Sequence, residues 1–190
     1  MLLFSFLLPF LALLSGFGFG PAVSQTPAPP PVETIPWSAN RPLTWADFKT
    51  RPAPAEQLAA LTSATIDVQV GCQDYVFSAR VKAVFMPTES WVRDARHASP
   101  NLLRHEQLHF DITELHARLL RQKLKVVKLD CEHLQPAFQN LSNASFAAWK
   151  REESRYDGET NHGLNEARQK FWEAQVQQRL ALLNQFAAVP

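Results

Sequence analysis

Two periodicities divide this chain. Between Thr62 and Val70 the residues Thr62, Ala64, Ile66, Val68 and Val70 alternate with Ser63, Thr65, Asp67 and Gln69. After Gly71-Cys72-Gln73-Asp74, a turn by composition, Tyr75, Phe77, Ala79, Val81, Ala83 and Phe85 resume the alternation. A period of two puts one set of side chains on a buried face, so 62–86 is predicted as a β-hairpin ended by Pro87. Beyond Ser99 the apolar residues recur every three or four positions, the spacing of helices. Ser99-Pro100 is a capping residue followed by proline at the first helical position, and the helix it starts is predicted to reach about Val126. Further helices are predicted over roughly 143–155 and 165–186, the latter burying Ala167, Phe171, Ala174, Leu182 and Phe186. A polar loop, 155–163, separates them. Residues 42–48 read as a short strand and turn, 51–57 as a loop, and 88–95 as a short helix capped by Thr88. Strands first and helices later predict an α+β fold in a single domain over 37–188.

The segments before it differ in kind. Residues 1–24 carry no charge, are rich in Leu and Phe, and end in Ala22-Val23-Ser24, which reads as a signal peptide cut near Gln25. The run is long enough for an uncleaved anchor, but Pro9 and the glycines at 16, 18 and 20 disfavour a spanning helix. Residues 25–36 are a Pro-rich linker. Export to the periplasm or the exterior, with no membrane attachment after cleavage, follows as an expectation. In that compartment Cys72 and Cys131 are expected to form a disulfide closing a loop of about 60 residues. The net charge of +1, without a basic cluster, gives no footing for nucleic acid.

The first long helix carries His105-Glu106-Gln107-Leu108-His109, an HExxH box. Residues four apart share a helix face, so both imidazoles reach one metal ion, and Glu106 lies beside them to take a proton from water. A catalytic zinc has three protein ligands and one open position, so a third ligand is needed. Ile112 and Leu115 stand where the HExxHxxGxxH arrangement needs Gly and His, which excludes it. Asp111 and Glu114 point away from the metal face and are expected to anchor the helix. His116 shares the face but lies nearly two turns beyond His109. Of the distant candidates His162 ranks first, Glu159 second and Glu132 third, with His133 sharing the objections to Glu132. Gly158 and Gly163 are expected to give the 155–163 loop unusual backbone angles and a close approach to another element.

The strings PLTWADF (42–48), LLRHEQLHFDITELHARLL (102–120) and YDGETNHG (156–163) resemble the bacterial domain-of-unknown-function family 922, described as predicted secreted zinc-dependent proteases. The resemblance covers about residues 33–180. It implies a zincin-like metallopeptidase with His105 and His109 as ligands, Glu106 as the base, and the YDGETNHG segment at the site, which favours His162. The expected activity is hydrolysis of peptide bonds by a metal-activated water, on one catalytic Zn2+. Tyr156 is then a candidate donor to the oxyanion, and Asp157 either orients a ligand histidine or caps a turn. The expected partner is a peptide or protein substrate, including cell-envelope peptides; the oligomeric state is left open. The alternative is a non-catalytic exported metal-binding or envelope-interaction domain.

Overall fold

A computed structural model of the chain describes residues 32–127, 129–132 and 134–188. The signal peptide, its cleavage site, all of the linker before Val32, and His133 lie outside the described residues.

The hairpin consists of β3 (Ala64–Gln73) and β4 (Val76–Phe85), paired from Ala64↔Phe85 to Gln73↔Val76. Its turn is Asp74-Tyr75, both in the left-handed region (φ 49° and 63°), as a two-residue connection requires to match the strand twist. Gly71-Cys72-Gln73 therefore belong to the strand, and the turn sits later than composition suggested. Asp74 tolerates this conformation better than most residues, which a search for glycine overlooks. β1 (Ile35–Pro36) adds to the other edge of β4, so the end of the supposed linker is part of the sheet. A second small sheet pairs β2 (Ala60–Leu61) with β5 (Trp91–Val92). The helix expected over 88–95 is thus a turn and a strand, because Trp91 and Val92 gain more from pairing beside the core than one helical turn gives. Trp45–Asp47 form a 3-10 turn within the segment read as strand and turn.

α1 (Pro100–Val126) is the centre of the molecule. Ser99 Oγ accepts from Leu102 N at 3.1 Å, and Pro100 opens the first turn, as the sequence predicts. One face packs on the hairpin, where Phe85 meets Phe48 and Phe110 at ring distances of 5.1 and 5.8 Å. Other faces meet α2 (Leu134–Thr160) and α3 (Glu166–Leu182), so α1 is buried nearly all round between His105 and Leu120. A helix in that position must partner every polar side chain it carries. Asp111 accepts from Trp37 Nε1 and Gln107 Nε2, both at 2.8 Å, and burial raises its carboxyl above the usual range despite them. Glu114 holds Arg118 at 2.8 Å and Arg121 at 3.1 Å, and His116 meets Glu152 at 2.8 Å. Asp111 and Glu114 thus anchor the helix as expected.

α2 is longer than predicted at both ends, and residues 155–160 are its last turns rather than a loop. α3 starts at its cap Asn165, but the buried face is Gln169, Trp172, Val176 and Leu180. Ala167, Phe171, Ala174 and Leu182 face outward, so the predicted face is rotated. A 3-10 turn, Asn184–Phe186, replaces the expected end of that helix. Cys72 and Cys131 are bridged, with Cα atoms 5.9 Å apart, tying β3 to the segment after α1. Among the described residues no helix is long and apolar enough to cross a membrane.

Candidate metal centre

Helix α1 presents His105 and His109 on one face, as the four-residue spacing requires. Their Nε2 atoms lie 3.3 Å apart. Helix α2 brings Asp157 Oδ1 to 3.2 Å from His105 Nε2 and 3.1 Å from His109 Nε2. Three donors with edges of 3.1–3.3 Å form one face of a tetrahedron whose centre-to-vertex length is about 2.0 Å, the length of a zinc–nitrogen or zinc–oxygen bond. The donor set therefore fits a metal ion without rearrangement.

The outer nitrogens of both rings are held. His109 Nδ1 lies 2.5 Å from Glu153 Oε2, and His105 Nδ1 lies 3.3 Å from Gln169 Oε1. A proton kept on Nδ1 leaves the Nε2 lone pair directed at the shared point. Each holder is itself held. Glu153 accepts from Trp149 Nε1 at 2.8 Å, while Gln169 receives the Tyr156 hydroxyl at 2.8 Å and donates to Glu173 at 3.0 Å. Burial would push the His109 imidazole down, but hydrogen bonds and charge from Asp157 and Glu153 outweigh it and raise it to about 10. Asp157 would be pushed up by burial, yet its bonds to His105 and His109 hold it far below the usual carboxylate range. The cluster thus favours a positive charge at its centre.

Of the residues expected at the site, His105, Glu106, His109 and His162 all line one cavity of about 680 Å³. Glu106 makes no side-chain hydrogen bond among the described residues, which leaves its carboxylate free toward that cavity. The place predicted for His162 in the donor triangle is taken by Asp157. His162 stands beside it, Nδ1 3.4 Å from Asp157 Oδ1 with its side chain half exposed, and does not join the close set. Tyr156 is fully buried behind the two imidazoles, stacked on His105 at 4.8 Å and edge-on to His109 at 4.8 Å. Its hydroxyl is engaged by Gln169 and by the His105 carbonyl at 3.1 Å, away from the cavity. Glu159 faces the opposite side of α2, where it meets Arg168 and accepts from Trp172 Nε1 at 2.9 Å. Glu132 is exposed next to the disulfide and is not among the cavity-lining residues.

The backbone after α2 explains how the site closes. Asn161, His162 and Gly163 are all left-handed, at φ 49°, 52° and 81°. This turn lays Gly163 against α1: a Cβ there would stand 2.9 Å from His105 Cβ and 3.0 Å from its Cγ. Gly163 therefore has the close approach expected of it. Gly158 has neither property, being helical with open space around its missing side chain.

From the sequence Asp157 reads only as a group that orients a histidine or caps a turn, and neither Glu153 nor Gln169 is singled out. The available signal was a helical face through Trp149, Glu153, Tyr156 and Thr160, which places Asp157 one turn after Glu153. Nothing in the local sequence marks Gln169.

These features define an α+β domain with a preformed His-His-Asp group, on two packed helices, that could hold a metal ion. The chain belongs to the family described as Bacterial protein of unknown function (DUF922), which matches residues 41–163 and so includes the box, Asp157 and the left-handed turn. No curated protein and no solved structure matches it.

Proposed function

We propose that this protein is an exported zinc-dependent metallopeptidase. The observation that carries the reading is the pairing, in one cavity, of a three-donor centre with an uncommitted carboxylate: Glu106 stands next to His105, and its carboxylate has no hydrogen-bond partner among the described residues. A structural site uses four protein ligands, whereas three leave a position for substrate or water.

His105, His109 and Asp157 would hold the metal, with Glu153 and Gln169 fixing the imidazole tautomers. A zinc ion there supplies Lewis acidity, polarising a carbonyl and making water acidic near neutral pH. Glu106 takes a proton from the attacking water as its oxygen bonds to the scissile carbonyl carbon. It passes that proton to the amide nitrogen as the C–N bond breaks, and the products are a carboxylate and an amine. His162, at the rim beside Asp157, would donate to the carbonyl oxygen as charge develops on it. Tyr156 acts through His105 and Gln169, as a positioning residue. The Cys72–Cys131 bridge supports an oxidising compartment, consistent with the signal-like character of residues 1–24.

The test is metal analysis joined to two variants. The wild-type protein should retain one zinc per chain after dialysis, and Asp157→Ala should lose it. Glu106→Gln should keep the zinc while hydrolysis of fluorescent casein falls by about 10²–10⁴-fold. Wild-type protein that takes up no zinc, or a Glu106→Gln variant as active as wild type, refutes the proposal.

A further inference from the structure

The cavity has two unlike ends, and they constrain what it accepts. Its walls are α1, one face of α2, and the extended segment 57–64. Along α2 the order is Lys150, then Glu153 and Ser154, then Asp157 at the metal centre. Beyond the helix end the left-handed turn carries the chain to Leu164 on the same cavity. The centre therefore lies between Lys150 and Leu164.

Each end lacks a partner among the described residues. Lys150 is the single lysine or arginine among the described residues that line the cavity. It is exposed, forms no ion pair with a described residue, and lies over the Trp149 ring at 5.9 Å. The nearest carboxylate on its own helix face, Glu153, is already held by His109 and Trp149. Leu164 is 80% exposed, and Leu61, at 39%, belongs to the same cavity. Large apolar side chains left exposed on the lining of a cleft offer a place for an apolar group.

Resting on the metallopeptidase reading, we propose that the substrate is an extended peptide with an apolar side chain near the scissile bond on the Leu164 side and a carboxylate on the Lys150 side. The spacing sets the distance between them. Lys150 precedes Asp157 by seven residues of helix, a rise of about 10 Å. An extended peptide covers that in about three residues. The carboxylate is either the C-terminus of the peptide or an acidic side chain at that position.

Zinc-loaded Glu106→Gln protein, titrated with labelled pentapeptides by fluorescence anisotropy, tests this. The probes are acetyl-Ala-Leu-Gly-Ala-Ala as the free acid, the same peptide as its amide, the amide with Asp at the last position, and the acid with Ser for Leu. The free acid or the Asp amide should bind about fivefold tighter than the plain amide, and Lys150→Met should abolish the difference. Preference for the free acid alone assigns the C-terminus; preference for both, or for the Asp amide, assigns a side chain. Leu164→Ser should weaken the Leu peptide and leave the Ser peptide unchanged. Equal binding of acid and both amides, a preference that survives Lys150→Met, or no peptide bound by fully zinc-loaded protein overturns the proposal. Protein that takes up no zinc overturns the reading beneath it instead.

Discussion

Gly163 and Gly158 lie five residues apart, and replacing each by alanine should move stability in opposite directions. At Gly163 two costs combine. The backbone sits at φ 81°, where a residue with a Cβ costs about 1–2 kcal/mol. The new methyl would also stand 2.9 Å from His105 Cβ and 3.0 Å from Cγ, an overpacking of about 1–3 kcal/mol. Together Gly163→Ala should lose about 2–5 kcal/mol, a drop in Tm of roughly 5–20 °C for a domain of this size. Because the clash is with a ring of the proposed zinc site, zinc affinity should fall too, by about 10–100-fold, as for other losses of support around a metal. Gly158→Ala meets nothing within 4 Å and sits in a helix, so it should gain about 0.5–1 kcal/mol with zinc binding unchanged. Urea denaturation and competition with a chromogenic zinc chelator measure both quantities. If Gly163→Ala matches wild type in both, the turn is not packed on His105 and the account of how α2 closes the site is wrong.

Tyr156→Phe should retain zinc and cost about 1–2 kcal/mol in urea, since it leaves the Gln169 and His105 carbonyl oxygens short of a donor. Its hydrolysis of casein should fall by less than about tenfold; a loss of about 10² or more would return the hydroxyl to the oxyanion. Paired replacement of Cys72 and Cys131 by Ser should cost about 4 kcal/mol and lower Tm by roughly 10 °C, from the loop the bridge closes. Burial would raise the Glu152 carboxyl, but hydrogen bonds from His116 and Arg179 bring it down to about 2. A depressed acid contributes stability that is full above its ordinary value of 4.5 and is lost as pH falls toward 2. Urea midpoints measured between pH 6 and pH 2.5 should therefore decline less steeply in Glu152→Gln than in wild type.

The elements read correctly from the sequence are those whose local signals agree with their packing. α1 has a cap, a proline and a sustained helical period, and the hairpin has a period of two with one buried face. The end of α2 escaped because its buried face is polar. Tyr156, Asp157 and Thr160 look like loop composition, and Gly158 looks like a break, until their partners on α1, α2 and α3 supply the reason for polar groups inside. The outward rotation of α3 has a similar origin: Gln169, buried beside His105, puts a polar residue on the packed face, while the apolar pattern points to Ala167, Phe171 and Ala174. β5 was lost because two residues carry no periodicity. The box itself was legible because all of its chemistry lies within one turn of one helix. Its third donor comes from a second helix, and only tertiary packing brings Asp157 to it.

The disulfide and the metal centre also bear on the topology of unfolding. The bridge joins residues 59 apart, from Cys72 to Cys131, and a bound ion would join His109 to Asp157, 48 apart. These rings do not nest but interlock in sequence, each containing one end of the other. The stretch of α1 from His109 to Val126 lies inside both. With metal in place, that stretch cannot be extended freely unless a covalent bond is reduced or a ligand leaves the ion. Chelation and reduction applied together should therefore release the helix far more readily than either treatment alone.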